Sequence, residues 1–274
     1  MLGPYLEFVI ILVSGGRPLQ PVAPNRGSHI VTTTSVHKRH SFGAVMIALT
    51  LAAGLLLFPA DAAQATGLFG SDEIRSSNMK SFDKWTELWR RHTLQRADEA
   101  ATEAEPEPQT ESKRRNCRGR NRIKCSRDSW ERFISKQQAE GEPALALDLL
   151  QAVNRYMNRS TYIVDPVNWG IPDYWATPDE FFMKDGDCED YAISKYVTLK
   201  RLGVDPSLMR LVVLQDENLR VAHAVLAVEV DGIFHILDNQ VDTVLPHDKI
   251  LHYRPVYSIN EDGWWLHQVR RFGR

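Results

Sequence analysis

The chain has 274 residues, 43% of them hydrophobic and 25% charged, with a formal net charge of −2. That apolar fraction supplies a sizeable core for one large or two small domains and excludes a disordered or fibrous chain. The near-neutral balance leaves no basic footprint for nucleic acid, and Arg270, Arg271 and Arg274 read as a solvated end.

In chain order, the first feature is an apolar run at residues 43–58 (GAVMIALTLAAGLLLF). It follows His37-Lys38-Arg39-His40 and precedes the small-residue stretch ADAAQA. A basic, then apolar, then A-x-A-like order is that of a secretory signal, with cleavage after Ala62 or Ala65. An uncleaved membrane anchor competes with this reading, but it needs about 20 apolar residues. The length of chain ahead of the basic stretch is unusual for a signal, so translation is expected to start downstream of Met1. Export brings thiol pairing within reach. Of the three cysteines, Cys117 and Cys125 flank a basic loop (CRGRNRIKC) and can bridge, leaving Cys188 as the free thiol. The alternative is that all three stay reduced.

Phe82, Trp85, Leu88, Trp89 and His92 fall at helical spacing and predict a short amphipathic helix over residues 81–92. Residues 97–112 (ADEAATEAEPEPQTES) are acidic, carry two prolines and show no apolar period, so they are expected to be a solvated linker or surface loop. Two more helices are expected over residues 130–134 and 144–157, from Trp130, Phe133, Leu145, Leu149, Leu150, Val153 and Met157, with Pro143 suited to a first turn. The stretch at residues 162–178 (YIVDPVNWGIPDYWATP) is too long for a tight turn and too apolar for disorder, the profile of a functional loop.

Asp187-Cys188-Glu189-Asp190 then opens a helical run that Gly203 closes, which sets Cys188 in the first turn. Strands are expected at residues 211–214, 221–230 and 233–237, the last two joined by Asp231-Gly232, a two-residue hairpin turn. Helix followed by antiparallel sheet is an α+β arrangement.

The chemistry resides in an ordered set. Unpaired amides at a helix N-terminus favour a thiolate, and Cys188 has that placement. If Asp231 and Gly232 form the turn, facing residues in the hairpin sum to 463. Val225 then opposes Asp238, His223 opposes Gln240, and all four side chains project from one face. His223 and Asp238 become diagonal neighbours about 7 to 8 Å apart at the backbone, within reach of an imidazole and a carboxylate. Asp238 would hold the His223 tautomer, His223 would take the Cys188 proton, and the thiolate would attack a carbonyl, with amides at the helix start as oxyanion donors. One β-bulge would reverse this parity. Taken singly, Cys188 reads as a small buried hydrophobe, His223 as a strand residue bonded to a carbonyl and Asp238 as a turn former; the weight comes from the set.

Asp187, Glu189 and Asp190 surround the thiol and should raise its pKa. A hard cation such as calcium, held by these carboxylates and by carbonyls of the loop at residues 169–177, would offset them. Helix capping by Asp187 and first-turn acids is the competing account.

The segments FDKWTEL (82–88), LQAVNRYMN (150–158), DYWATPDEF (173–181), GDCEDYAISKY (186–196), AHAVLAV (222–228) and LDNQVD (237–242) resemble the bacterial transglutaminase-like cysteine proteinases, the family of LapG-like periplasmic proteases. The resemblance implies a papain-like or transglutaminase-like α+β fold, with N-terminal helices followed by an antiparallel sheet. It implies a Cys188, His223, Asp238 triad, and calcium held by Asp187, Glu189 and Asp190. It also implies a periplasmic location, a large surface adhesin as substrate, cut near its N-terminal retention module, and restraint by an inner-membrane cyclic-di-GMP receptor. On this reading residues 1–62 are the upstream extension and signal, 63–128 an N-terminal helix and acidic linker, and 129–274 the proteinase domain. The acidic insert and the Cys117 to Cys125 loop are not features of that pattern. Three alternatives stand beside it: a transglutaminase-type acyltransferase using the same triad, a non-catalytic calcium-responsive binding module, and a zinc site of Cys188, His223 and Asp238, which lacks paired-cysteine spacing.

Overall fold

The computed structural model describes residues 67–103, 121–140 and 146–269. Six helices are seen among them: α1 Asp83–Glu103, α2 Asn121–Ala139, α3 Leu147–Met157, α4 Asp165–Asn168, α5 Pro178–Lys184 and α6 Cys188–Arg201. The strands are β1 Ser71–Ser76, β2 Met209–Asp216, β3 Val221–Val230, β4 Ile233–Leu237, β5 Leu245–Pro246, β6 Tyr253–Asn260 and β7 Gly263–Val269. They form one sheet in the order β1-β7-β6-β2-β3-β4-β5, and every pairing is antiparallel. The fold is α+β, as the sequence predicts. The signal-like run and Cys117 lie outside the described residues, as does the Cys125 side chain, and no helix among those described is long and apolar enough to cross a membrane.

Alternation along β3 divides the core. Ala224, Leu226, Val228 and Val230 pack with Leu211 and Val213 of β2 against the helices. Val225 and Ala227 join Val212, Leu214, Ile236 and Tyr253 on the opposite face, closed over by Leu68. The central helix is α6, buried on all sides from Cys188 to Leu199. It is buried even though it carries Glu189, Asp190 and Lys195, and its C-terminus turns at Gly203, whose φ of 91° suits a residue without a Cβ. Trp130 of α2, fully buried, donates from Nε1 to Thr198 Oγ1 at 2.8 Å and ties α2 to α6.

Two differences from the sequence reading have local causes. Helix α1 continues through residues 97–103, which were expected to be linker, because Ala and Glu are strong helix formers and the prolines come only at positions 106 and 108. The long loop over residues 162–178 contains the one-turn helix α4, with Pro166 in its first turn.

Candidate active site

Asp231 (φ 51°) and Gly232 (φ 78°) make the tight turn between β3 and β4, both left-handed as a type I′ turn requires. Val230 faces Ile233, Val228 faces His235 and Leu226 faces Leu237, the expected register. Continued one step past the ladder, it brings His223 Nε2 to 3.0 Å from Asp238 Oδ1. Both side chains are nearly sealed from solvent. The Gln240 amide donates to the same oxygen at 2.9 Å, and the Tyr253 hydroxyl donates to Oδ2 at 2.5 Å. Burial is the largest single influence and pushes the Asp238 carboxyl up, but the hydrogen bond and charge of His223, with the Tyr253 and Gln240 donors, outweigh it and hold the carboxyl below its usual range. With Nε2 engaged, Nδ1 is the His223 nitrogen left for proton transfer. Tyr253 also sets its ring against His223, centroid to centroid 5.8 Å. The sequence reading missed Tyr253, and no local signal marks it. His235, on the other face of the hairpin, donates from Nδ1 to the Ile233 carbonyl at 3.0 Å.

Cys188 sits at the first position of α6 with Asp187 as N-cap. The backbone N–H of Ala224, the residue after His223, lowers the pKa of the thiol, but among the described residues no contact between the Cys188 sulfur and the His223 ring is seen. Its own proton points elsewhere, toward Glu189 Oε2 at 3.2 Å. Burial first, then Glu189 and Asp187, push the thiol well above its ordinary range.

The acids beside it form a buried cluster larger than the sequence reading expected. Asp165 from α4 and Asp173 from the following loop join Asp187, Glu189 and Asp190. Donor atoms of Asp165, Asp173 and Glu189 lie within 4.8 Å of one another, as do those of Asp165, Asp187 and Asp190. Glu189, Asp190 and Asp165 are at most 1% exposed. Some of their oxygens are satisfied: Asp190 Oδ1 accepts from the Ala176 amide at 2.7 Å, Asp190 Oδ2 from the Asp187 amide at 3.3 Å, and Asp165 Oδ2 from the Tyr174 amide. Lys84 reaches Asp173 from α1. Yet Asp165 Oδ1, Asp173 Oδ1 and Asp187 Oδ1 are buried and accept no hydrogen bond. Burial, and then neighbouring carboxylates, raise Glu189 and Asp190 well above the carboxylate range, raise Asp187, and push Asp165 up to about 6. So many acids do not stay ionised together in a dry pocket without positive charge. An all-oxygen donor set with orphaned carboxylate oxygens fits a hard divalent cation, and Asp165, Asp173, Asp187, Glu189 and Asp190 would hold it. Capping and metal binding are compatible here, because the capping oxygens and the orphaned ones differ. Among the described residues, the groups of donors close enough to share a metal ion all involve this acidic cluster; none combines Cys188, His223 and Asp238 as the zinc alternative requires.

A helix-start thiol packed against an antiparallel sheet that carries a histidine–aspartate pair is the transglutaminase-like α+β class. The chain belongs to the bacterial transglutaminase-like cysteine proteinases, whose family profile matches residues 115–268, more than half of its length, and it is a cysteine peptidase. Among solved structures it is similar to Legionella pneumophila LapG, at 31% identity over 53% of this chain and 79% of that one, with a TM-score of 0.46. Calcium-bound LapG from the same organism gives 31% identity over 54% of this chain and 81% of that one, TM-score 0.47. The EGTA-treated form gives 31% over 53% and 77%, TM-score 0.46. No curated protein matches the chain.

Proposed function

We propose that this protein is a calcium-dependent cysteine endopeptidase whose nucleophile is Cys188, with His223 as base and Asp238 as its orienting carboxylate. The observation that carries the reading is the His223–Asp238 contact at 3.0 Å on β3, the strand whose helix-facing residues share a core with Cys188 at the start of α6. His223 Nδ1 accepts the thiol proton while Nε2 donates to Asp238. The thiolate attacks the peptide carbonyl, and backbone amides at the start of α6 receive the oxyanion. His223 then protonates the leaving amine, and a water molecule, deprotonated by the same ring, releases the acyl group from sulfur. Calcium in the acidic cluster would neutralise the charges beside the thiol and tie the loop at residues 165–173 to α6. Asp187, Glu189 and Asp190, joined by Asp165 and Asp173, are its ligands on this reading.

The finer reading follows the family. The enzyme is exported to the periplasm by the signal at residues 43–65, cleaves a large surface adhesin near its N-terminus to control attachment and biofilm, and is restrained by an inner-membrane cyclic-di-GMP receptor. What supports it is family membership together with the signal-like segment. The test is incubation of the purified enzyme with the N-terminal region of an adhesin from the same genome, with calcium or EGTA, followed by mapping of new N-termini by mass spectrometry. A single cut that requires calcium and is lost in Cys188→Ala supports the reading; an intact adhesin in every condition removes the substrate assignment.

A further inference from the structure

Lys195 lies seven residues beyond Cys188 on α6, hence on nearly the same helix face, and is 0% exposed. Its Nζ makes no hydrogen bond. A buried ammonium without a partner is costly, and a neutral side chain of similar length would fill the space with less penalty. The groups that interact with it come from two elements, and a third holds the first of these in place. From the segment after β4, the carboxylates of Asp238 and Asp242 attract it, while burial lowers its pKa to about 7. From its own helix, the Tyr191 ring lies 5.7 Å from Nζ. From α3, neutral Asn154 and Asn158 clamp the same segment: Asn154 Nδ2 donates to the Val241 and Asp242 carbonyls at 2.9 Å, and Asn158 Nδ2 to the Asp238 carbonyl at 2.9 Å and to Asp242 Oδ1 at 3.0 Å. The hydrogen bonds seen to Asp238 come from His223 and Gln240 at Oδ1 and from Tyr253 at Oδ2, and none comes from Lys195. Lys195 therefore acts on Asp238 at a distance, as a charge in a dry layer where Coulomb effects are strong.

We propose that Lys195 is a positioning residue whose buried charge balances Asp238 and thereby sets how tightly His223 holds its proton. An uncompensated Asp238 would over-stabilise the imidazolium and leave the base protonated when the thiol must be deprotonated. The inference rests on the assignment of Cys188, His223 and Asp238 made above. Its readout is a ring titration and not turnover, so its failure is separable from the failure of that assignment.

The experiment is NMR titration of ¹⁵N-histidine-labelled protein in calcium buffer, in a Cys188→Ala background, with His223 assigned by loss of its signals in His223→Gln. Lys195→Met and Lys195→Gln should each raise the His223 midpoint by about one pH unit, tenfold in proton affinity. Lys195→Arg, which keeps the charge, should leave it within about 0.3 unit. Circular dichroism should show the neutral variants folded and melting no lower than the parent by more than a few degrees, as replacement of a buried charge permits. A midpoint that stays in place in a folded neutral variant overturns the proposal. So does the failure of both neutral variants to fold, which would make Lys195 a structural residue.

Discussion

Replacing Tyr253 by Phe removes one oxygen and nothing else of size. The ring contacts to Phe69 and His223, both at 5.8 Å between centroids, survive the change. What is lost is the 2.5 Å bond from the hydroxyl to Asp238 Oδ2, a charge-assisted bond to a carboxylate that is only 3% exposed. Such bonds contribute about 1.5–3 kcal/mol, and no other donor to Oδ2 is seen among the described residues. The two donors to Oδ1 remain. Asp238 should therefore lose about 2 kcal/mol of stabilisation of its charged form, and its pKa should rise. Urea denaturation at pH 7 should show Tyr253→Phe about 2 kcal/mol less stable than the parent. Because the weakened carboxylate orients His223 less firmly, alkylation of Cys188 should slow by about tenfold or less, not cease. A variant within about 0.5 kcal/mol of the parent, with unchanged alkylation, would refute the view that the second oxygen of Asp238 is held by Tyr253.

Other consequences can be measured alongside. His267 bridges Ser71 Oγ at 2.8 Å and Ser258 Oγ at 2.9 Å, and burial lowers its pKa from 6.5 to about 4. The unfolded chain then takes this proton first, so stability is full above about pH 6.5 and falls by about 3 kcal/mol as pH drops to 4; His267→Gln should flatten that part of a urea-derived stability profile. At Gly186, an added Cβ would come within 2.7 Å of Asp190 Cβ. Gly186→Ala should displace the Asp190 carboxylate from the Ala176 and Asp187 amides, at a cost of about 2–3 kcal/mol in chemical denaturation, and abolish any calcium-dependent rise in melting temperature. In the parent, calcium at about a hundred times its dissociation constant should add close to 2.7 kcal/mol, read as a melting rise of about 5–10 °C that EGTA reverses. An unchanged melting temperature would show that the acidic cluster holds no calcium.

The hairpin was legible because a two-residue Asp-Gly turn fixes register, and register fixes which side chains share a face. His223 and Asp238 could therefore be paired from their numbers alone, even though Asp238 lies just beyond the last ladder pair, Leu226 with Leu237. The helix carrying Cys188 was marked by its acidic first turn and its closing glycine. Asp165 and Asp173 were not legible, because they reach the cluster from an irregular segment whose path depends on where α6 and α1 lie. Tyr253 was missed for a similar reason: it arrives from β6, two strands away from β3 in sheet order. Pro255 also argues against a strand there, and the chain accommodates it at the register shift between Val213 and Leu214 of β2. The edge strand β1 carries no long alternating apolar run and gains its place by pairing with β7.

The central claim is that Cys188 is a nucleophile activated by His223 and dependent on the charge state of the acids around it. The most direct test is the rate of Cys188 alkylation by iodoacetamide with calcium, with EGTA, and in His223→Ala. Rapid labelling in calcium that slows at least tenfold on chelation and in the histidine variant is the predicted result. Equal and slow labelling in all three conditions would contradict it and leave Cys188 as a buried, inert thiol.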